Sequence, residues 1–327
     1  MKIDLIKKME EIAKKKPVKV LVCEGWDERF LRASAQILER KLAKIVLLGD
    51  PKVVNEEAKK FGVDVSGAEI VDYKNSELKK ELAEKLVEVR KHKGMDLKTA
   101  KKLIENENYF GCMYAYCGYA DSVAGSAICP TAELMRPALQ ILRKKKRIVS
   151  EVVVVSDVKN NRTLFITDVS LNIDPNAEQL AQIALNAVKC VRSFGIVPKV
   201  ALLSFSTKGS GGNHPAIQTV RDALEIVKKE DPKLLIDGEM QVDAAVSEFG
   251  AQRKCPDSPL KGKANILVFP NLTAANIFGH SILQFSDMTM DFTMLEGLMK
   301  PVGIVGRSTP LDTVRNVMVS GAMEANS

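Results

Sequence analysis

Apolar runs and amphipathic stretches alternate along the first third of the chain. Residues 18–23 (VKVLVC) form a largely apolar run, which is typical of a strand covered on both faces. Two further strands are predicted at Lys44–Leu48 and at residues 69–72. The spacing of apolar residues predicts helices at residues 27–42 and 53–61 between these strands. This βαβα order predicts a parallel sheet with helices on both faces.

Three more helices are predicted before the middle of the chain. They cover residues 76–91, 96–107 and 130–145. Asp96 is a good N-cap for the second helix, because a carboxylate accepts hydrogen bonds from the free N–H groups of a first turn. Pro130 lies in the first turn of the third helix, where a missing N–H is tolerated.

The pattern changes after Lys146, and we place a domain change there. Residues 151–156 and 163–167 are two strands that flank Asn160-Asn161, which predicts a β-hairpin. Alternation then resumes with helices at 176–194 and 215–229 and strands at Lys199–Leu203, 234–236 and 265–269. Residues 303–305 and the helix after them fit either half. The sequence contains no internal repeat and no long Gly/Ser/Pro linker.

Length and composition agree with a folded protein of two domains. The chain has 327 residues, of which 46% are hydrophobic and 27% charged. No apolar run approaches the roughly 18–20 residues that cross a bilayer, and acids interrupt the basic N-terminus. Neither a membrane span nor a secretory signal is therefore expected. Six cysteines without a Cys-x-x-Cys pair predict reduced thiols in a cytoplasm.

The charge balance favours a small anionic ligand over nucleic acid. There are 48 basic and 41 acidic residues, a net charge of +7, and only 5% of residues are aromatic. The lysine runs have no interleaved aromatics on which bases could stack. With only three histidines (His92, His214 and His280), no histidine metal site is expected.

The loop after the strand Lys199–Leu203 is a candidate anion site. Residues 203–210 (LSFSTKGS) combine hydroxyls, a lysine and a glycine at the carboxyl end of a predicted strand. Ser206 and Lys208 are the candidate ligands. The alternative is a loop of ordinary turn-forming residues, and the segment is not a Walker motif.

A second candidate anion site follows the short apolar strand near residue 304. In residues 305–312 (VGRSTPLD), Thr309 is predicted as an N-cap, Pro310 as the first helical residue and Asp312 as an acid of the first turn. The free N–H groups of a helix start attract anions, and Arg307 adds a planar pair of donors. The alternative is a capped helix with a surface arginine.

Three weaker candidates complete the survey. Arg136 precedes Pro137, which predicts a kink or a late helix start, although a surface arginine is the simpler interpretation. Residues 168–178 are a polar loop that ends in the cap signal Asn176. Cys23 and Cys190 lie in apolar segments and are predicted to be core residues.

Several blocks of the sequence, in order, resemble the phosphate acetyl/butyryl transferase family over nearly the whole chain. They are residues 86–95, 109–111, 131–140, 174–181, 203–210 and 235–245. The resemblance implies two α/β domains with mainly parallel sheets, similar to isocitrate/isopropylmalate dehydrogenases, with an active cleft between them. The first domain would comprise residues 1–146 plus about 297–327, and the second residues 147–296. It also implies a cytoplasmic homodimer.

The resemblance implies an enzyme that converts acyl-CoA and phosphate into acyl phosphate and CoA, acetyl being the expected acyl group. The family's substrate arginines fall on Arg90, Arg136 and Arg307. Gly306 stands at the family's active-site serine. Of the family's acidic pair, Asp312 matches the first acid and Thr313 stands at the second.

The residues that remain near those positions supply candidate chemistry. Ser308 is the candidate hydroxyl that bonds the carbonyl oxygen, and Asp312 is the candidate base for the CoA thiol. Neither a metal nor a permanently bound cofactor is expected, and CoA is a substrate. The expected partners are a CoA thioester, phosphate and acyl phosphate.

Two alternatives to an active transferase remain open. A non-catalytic paralogue would keep the CoA or phosphate site without turnover, and Gly306 and Thr313 are the features that favour it. A dehydrogenase of the isocitrate type would require clustered aspartates around a divalent metal. The sequence shows no such cluster and no Gly-x-Gly-x-x-Gly after a strand.

Overall fold

The computed structural model describes residues 4–326, so the predicted domain ends at residues 1–3 and 327 lie outside the described part. The chain divides into two compact units. Leu5–Lys145 and the segment from Leu298 onward form the N-terminal unit, and Lys146–Gly297 forms the central unit. Each unit contains one sheet with helices packed on it, which confirms the predicted α/β class.

The N-terminal unit is built on a five-stranded parallel sheet. Its strands, numbered along the whole chain, are β1 (Lys19–Val22), β2 (Lys44–Leu48), β3 (Glu69–Val71), β4 (Ser122–Gly125) and β11 (Val302–Ile304). The strand order is β11-β4-β1-β2-β3, and every neighbouring pair is parallel. β1 and β2 are almost wholly buried, as the apolar runs predict for a sheet covered on both faces.

Polar side chains fix the starts of several helices in this unit. The helices are α1 (Leu5–Ala13), α2 (Glu28–Glu39), α3 (Pro51–Lys60), α4 (Lys79–Arg90), α5 (Leu97–Ile104), α6 (Glu107–Tyr116), α7 (Thr131–Pro137) and α13 (Leu311–Ala325). Asp27 caps α2, Asp50 caps α3 and Asp96 caps α5, each accepting from first-turn N–H groups. The predicted cap at Asp96 is confirmed.

The hydrophobic pattern predicts neither α6 nor β4. α6 is buried on nearly every side and therefore has no polar face to create a helical period. Gly111 lies within it, and a Cβ there would come 2.9 Å from both Cys23 Sγ and Leu21 Cδ2. β4 is a four-residue strand that ends in glycine, which is too short to show a pattern.

The single helix predicted at residues 130–145 is wrong in its second half. α7 ends at Pro137, and Ala138–Leu142 continue as a π-helical turn. Proline has no N–H to donate within a helix, and its ring displaces the preceding carbonyl, so the regular hydrogen-bond ladder is interrupted.

The central unit is built on a six-stranded mixed sheet. Its strands are β5 (Ser150–Asp157), β6 (Arg162–Thr167), β7 (Lys199–Leu203), β8 (Leu235–Met240), β9 (Ile266–Val268) and β10 (Thr289–Glu296). In the order β10-β5-β6-β9-β7-β8, the last four strands are mutually parallel, and β5 is antiparallel to both of its neighbours. The predicted hairpin around Asn160-Asn161 is confirmed as β5–β6.

Helices cover both faces of the central sheet. They are α8 (Ala177–Ser193), α9 (Pro215–Glu230), α10 (Val242–Val246), α11 (Glu248–Lys254) and α12 (Leu272–Phe285). Asn176 and Gln179 form a capping box at the start of α8. Only Ala275 of α12 is fully buried, so this apolar helix leaves much of its surface uncovered. No helix within residues 4–326 has the length and apolarity that a membrane span requires.

Candidate active site

The strand order of the N-terminal unit locates its ligand-binding edge. The chain proceeds from β1 outward to β2 and β3, and then returns to the other side of β1 to form β4 and β11. The order reverses between β1 and β4, and open α/β sheets bind ligands beyond the carboxyl ends of the strands at such a point. Three loops leave the sheet there, after β1, after β4 and after β11.

The loop after β1 holds the loop after β4 through one buried carboxylate. Glu24 is 1% exposed, and its two oxygens accept from three consecutive backbone N–H groups. The distances are 2.5 Å from Ala127 N, 3.1 Å from Ile128 N and 2.8 Å from Cys129 N. Consecutive N–H groups of this kind form an anion-binding concavity, and here the protein's own carboxylate fills it.

Arg29, in the first turn of α2, connects the loops after β4 and β11. Its Nη1 donates to the carbonyls of Gly306 (3.1 Å) and Arg307 (2.8 Å), and its Nη2 donates to the carbonyl of Ala127 (2.8 Å). The carboxylate of Asp27, which caps the same helix, pairs with the guanidinium. The hydrophobic pattern does not indicate that Arg29 connects these loops. In retrospect, the sequence signal is the pair of Asp27 and Arg29 soon after the first strand.

The loop after β11 carries the predicted residues Arg307 and Ser308, and both are exposed. Arg307 Nε donates to the carbonyl of Ile128 at 3.1 Å. The predicted N-cap at Thr309 is wrong: Pro310 occupies that position and α13 begins at Leu311. The hydroxyl of Thr309 instead accepts from Gly306 N at 2.9 Å, so it closes the loop rather than capping the helix.

The two residues at the positions of the family's acidic pair, Asp312 and Thr313, differ in exposure within the first turn of α13. Asp312 is confirmed as an acid of this turn; its side chain is 79% exposed and pairs with Arg315 at 3.4 Å. Thr313 is buried. A Cβ on Gly306 would come 3.3 Å from Thr309 Oγ1, and the backbone there is not left-handed. A serine therefore requires only a small movement of the Thr309 side chain.

Arg90 and Arg136 both act electrostatically on Tyr109. Burial raises the pKa of the Tyr109 hydroxyl, while the charges of Arg136 and Arg90 act to lower it. Arg90 ends α4, Tyr109 lies on α6 and Arg136 lies in the last turn of α7. Arg90 Nε is buried and has no hydrogen-bond partner within residues 4–326, whereas Arg136 is exposed.

In the central unit, the loop after β7 is held by internal hydrogen bonds. Ser206 is fully buried, and its hydroxyl donates to Glu239 at 2.8 Å and accepts from Gly211 N at 2.9 Å. Lys208 Nζ pairs with the carboxylate of Asp237 and donates to the carbonyl of Gly238 at 2.9 Å. Both predicted ligands thus organise the loop. Lys208 is also partly exposed.

Glu239 is the centre of this arrangement. Its side chain is 2% exposed and accepts from Arg221 Nε, Gly209 N and Ser206 Oγ, each at 2.8 Å. Burial acts to raise the pKa of Glu239, but the hydrogen bonds from Arg221, Gly209 and Ser206 outweigh it and lower the pKa to about 2. The loop is therefore built around a carboxylate that is ionised at neutral pH.

Two buried acids lie at the carboxyl edge of β6. Asp168 accepts from the N–H groups of Glu151 (3.2 Å), Ser170 (3.3 Å) and Asn172 (3.0 Å), which fixes the start of the predicted polar loop. Burial raises the pKa of Glu151 from 4.5 to about 7; the Asp168 charge adds to this and hydrogen bonding to Ser170 opposes it. The sequence gives no signal for Glu151, because a single acid before four consecutive valines does not indicate a site.

We expect Glu151→Gln to stabilise the protein above neutral pH and not in acid. The folded protein holds a proton on Glu151 up to pH about 7, whereas the unfolded chain releases it near 4.5. The stability of the parent therefore falls between these pH values, by on the order of 3 kcal/mol, and the glutamine variant lacks that fall. Urea unfolding from pH 4 to 8 measures the difference. A constant offset between the two proteins, such as we expect for Glu225→Gln on exposed α9, would contradict this assignment.

The cysteines do not supply a nucleophile. Burial raises the pKa of Cys23, Cys112 and Cys129, so these thiols stay protonated near neutral pH. Cys23 and Cys190 are buried, as predicted. Within residues 4–326, no group of three or more His, Cys, Asp or Glu side chains is arranged to hold a metal ion.

Comparison with known proteins decides the family. Residues 4–322 match the model of the family described as phosphate acetyl/butaryl transferase. The chain belongs to this family. A phosphate acetyltransferase of Thermoanaerobacterium thermosaccharolyticum is 36% identical, over 99% of this chain and 100% of the relative. The phosphate acetyltransferase of Bacillus subtilis is 35% identical, over 98% and 99%.

The transferase fold is also found in solved structures. A phosphotransacetylase from Streptococcus pyogenes superposes with a TM-score of 0.93 at 35% identity, and the match covers 98% of each chain. The resemblance inferred from the sequence blocks is thereby confirmed. This family match excludes the alternative that the chain is a dehydrogenase of the isocitrate type.

Proposed function

We propose that the protein is a phosphate acyltransferase that interconverts acyl-CoA plus phosphate and acyl phosphate plus CoA, with acetyl as the acyl group. The observation that carries the proposal is the buried Nε of Arg90, which lacks a hydrogen-bond partner within residues 4–326, in the same unit as the exposed Arg136. A guanidinium group with an unused donor attracts a phosphate-bearing ligand. Relatives at 35–36% identity over the full chain are named for the same activity.

The reaction needs a base, an anion site and a donor for the carbonyl oxygen. Asp312 takes the proton of the CoA thiol, and the sulfur attacks the carbonyl carbon of the acyl phosphate. The bond between that carbon and the phosphate oxygen breaks, and phosphate leaves with the electron pair. Arg307, Arg136 and Arg90 hold the phosphate groups of the substrates, and the Ser308 hydroxyl bonds the developing oxyanion. No metal ion and no permanently bound cofactor takes part in this scheme.

We propose slow turnover, because both polar groups are displaced along the chain. Ser308 lies two residues beyond the family's serine, and Asp312 lies one residue before its second acid. On a helix, one residue turns the side chain by about 100°. Asp312 is exposed, so it is reachable by solvent and substrate, while its partner Arg315 has only 18% of its side chain exposed.

A thiol-release assay with acetyl-CoA, propionyl-CoA or butyryl-CoA plus phosphate tests the proposal. The parent, Asp312→Asn and Ser308→Ala are compared for turnover and for thermal stability. We expect Asp312→Asn to lose more turnover than Ser308→Ala. Gly306→Ser is expected to raise turnover, because the side chain fits with only a small movement of Thr309. Full turnover in Asp312→Asn would remove Asp312 from the chemistry.

The second candidate function is a paralogue that binds CoA or phosphate without turnover. Gly306 and the buried Thr313, in place of the family's serine and acid, favour it. Titration calorimetry with CoA and with phosphate distinguishes the two functions. Binding of either ligand without detectable thiol release, restored by Gly306→Ser, would establish this candidate instead.

We also propose that the protein acts as a cytoplasmic homodimer that uses α12. Ile277, Leu283 and Phe285 of this helix are 62%, 36% and 88% exposed. A second copy of the same helix would cover these residues in a two-fold contact. The six free cysteines fit a reducing compartment.

We expect Phe285→Asp to shift the protein from dimer to monomer in sedimentation at micromolar concentration, while far-UV circular dichroism is unchanged. Val197→Asp is the matched control, because Val197 is 64% exposed in a loop outside α12. A monomeric parent would contradict the dimer, and an unchanged dimer in Phe285→Asp would contradict the use of α12.

A further inference from the structure

The guanidinium of Arg29 and the carboxylate of Glu24 fix the two loops that surround Arg307. We propose that these are positioning residues, which hold Arg307 in the orientation that binds phosphate. This inference rests on the proposed function, in which Arg307 binds a phosphate group. Neither Arg29 nor Glu24 is proposed to touch the substrate.

Arg29 acts on the backbone that carries Arg307. Its Nη1 bonds the carbonyl of Arg307 itself at 2.8 Å and that of Gly306 at 3.1 Å. Its Nη2 bonds the carbonyl of Ala127 at 2.8 Å, which ties the loop after β11 to the loop after β4. Asp27 pairs with the guanidinium and also caps α2, so the direction of Arg29 is set by the start of a helix.

Glu24 acts on the loop after β4, whose carbonyls Arg29 and Arg307 bind. Its carboxylate binds the N–H groups of residues 127, 128 and 129, whereas Arg29 and Arg307 bind the carbonyls of residues 127 and 128. The peptide groups of this loop are therefore held from both sides. The carbonyl of Ile128 is held where Arg307 Nε meets it at 3.1 Å.

Arg307 is therefore held by a hydrogen bond from its Nε, while its side chain is exposed to solvent. A guanidinium binds phosphate best through two parallel N–H groups, and this requires a set orientation of its plane. A displacement of about 1 Å in a positioned group reduces catalysis by about 10²-fold. The loop after β11 would gain that freedom without Arg29, because this side chain bonds three of the loop's carbonyls, those of Gly306, Arg307 and Thr309.

The test is a double-mutant cycle between Arg29→Gln and Arg307→Gln, with the KM for phosphate, the KM for CoA and kcat measured for each protein. We expect Arg29→Gln to lower kcat/KM for phosphate by about 10–10²-fold, with a smaller change in the KM for CoA. In the Arg307→Gln background the same change is expected to have no further effect, because Arg29 acts through Arg307. Arg32→Gln is the control and is expected to match the parent, because Arg32 is a partly exposed arginine one turn along α2 that pairs with Glu28 of the same helix.

Three results distinguish a failure of this inference from a failure of the proposed function on which it rests. If the parent has no turnover, calorimetry with inorganic phosphate replaces kinetics in the same cycle, and the proposed function alone fails. If Arg307→Gln binds phosphate like the parent, the assignment of Arg307 fails, and the inference fails with it. If Arg307→Gln is impaired but Arg29→Gln is not, or if the two losses multiply, the positioning role is overturned.

A milder variant distinguishes the loss of the positioning role of Arg29 from a folding defect. Arg29→Lys keeps the charge but lacks the two separate nitrogens with which Arg29 reaches the carbonyls of Gly306 and Arg307 on one loop and of Ala127 on the other. We expect it to unfold at nearly the temperature of the parent and still to lose affinity for phosphate. Parental phosphate kinetics in a stable Arg29→Lys protein would also overturn the proposal.

Discussion

Replacing Arg136 or Arg307 by glutamine is expected to reduce the binding of phosphate-bearing ligands by about 10–10²-fold. Each change removes charge-assisted hydrogen bonds, which contribute about 1.5–3 kcal/mol. Because both side chains are exposed, the free energy of unfolding should change little. Turnover should fall further, by about 10²–10³-fold, since the same groups stabilise charge that develops on the leaving phosphate. Titration calorimetry and the thiol-release assay measure the two effects.

The variants separate the roles of the arginines. If Arg136 contacts CoA and Arg307 contacts the transferred phosphate, Arg136→Gln raises the KM for CoA and Arg307→Gln raises that for phosphate. Arg32→Gln, also on the surface of the N-terminal unit, is the control for a lost positive charge. Parental affinity for both ligands in Arg136→Gln would remove this residue from the site.

Glu239→Ala is expected to destabilise the central unit by about 3–5 kcal/mol, the range for removing one partner of a buried ion pair. The carboxylate is 2% exposed and satisfies Arg221, Gly209 N and Ser206 Oγ together, so its removal leaves three donors without an acceptor. Glu225→Ala removes an exposed carboxylate from α9, 3.7 Å from Lys228, and should cost less than about 1 kcal/mol. Urea unfolding compares the two variants.

The stability that Glu239 contributes should depend on pH in the direction opposite to that of Glu151. Its pKa is about 2 in the folded protein and 4.5 in its ordinary state. A lowered pKa contributes stability that is complete above pH 4.5 and is lost as the pH falls toward 2. The stability difference between the parent and Glu239→Gln should therefore shrink across that window. A difference that is the same at pH 7 and pH 3 would contradict the ionised state of Glu239.

The candidate site was only partly predictable from the sequence. The positions of Arg90, Arg136 and Arg307 came from ordered sequence blocks, and the order of the blocks made them specific. Ser206 and Lys208 were predicted as anion ligands because hydroxyls and a lysine follow a strand. Their partners Glu239 and Asp237 lie about 30 residues further along the chain, and only the pairing of β7 with β8 brings them together.

Local sequence determined the elements whose signals are local. Continuous apolar runs specified β1 and β2, and Lys44–Leu48 and Lys199–Leu203 begin and end as predicted, because a strand covered on both faces is apolar throughout. Asp96 and Asn176 marked helix starts, since a cap acts within three residues of chain. The family, and with it the α/β class, was likewise contained in the sequence.

Tertiary structure decided what depends on distant contacts. α6 could not be predicted because burial on all sides erases the helical period. Thr309 was expected to cap α13, but its hydroxyl accepts from Gly306 N within a loop whose carbonyls Arg29 bonds. Glu24 and Arg29 join backbone segments that lie 98 to 278 residues apart. No local pattern specifies such a contact, because it exists only once β1, β4 and β11 lie side by side.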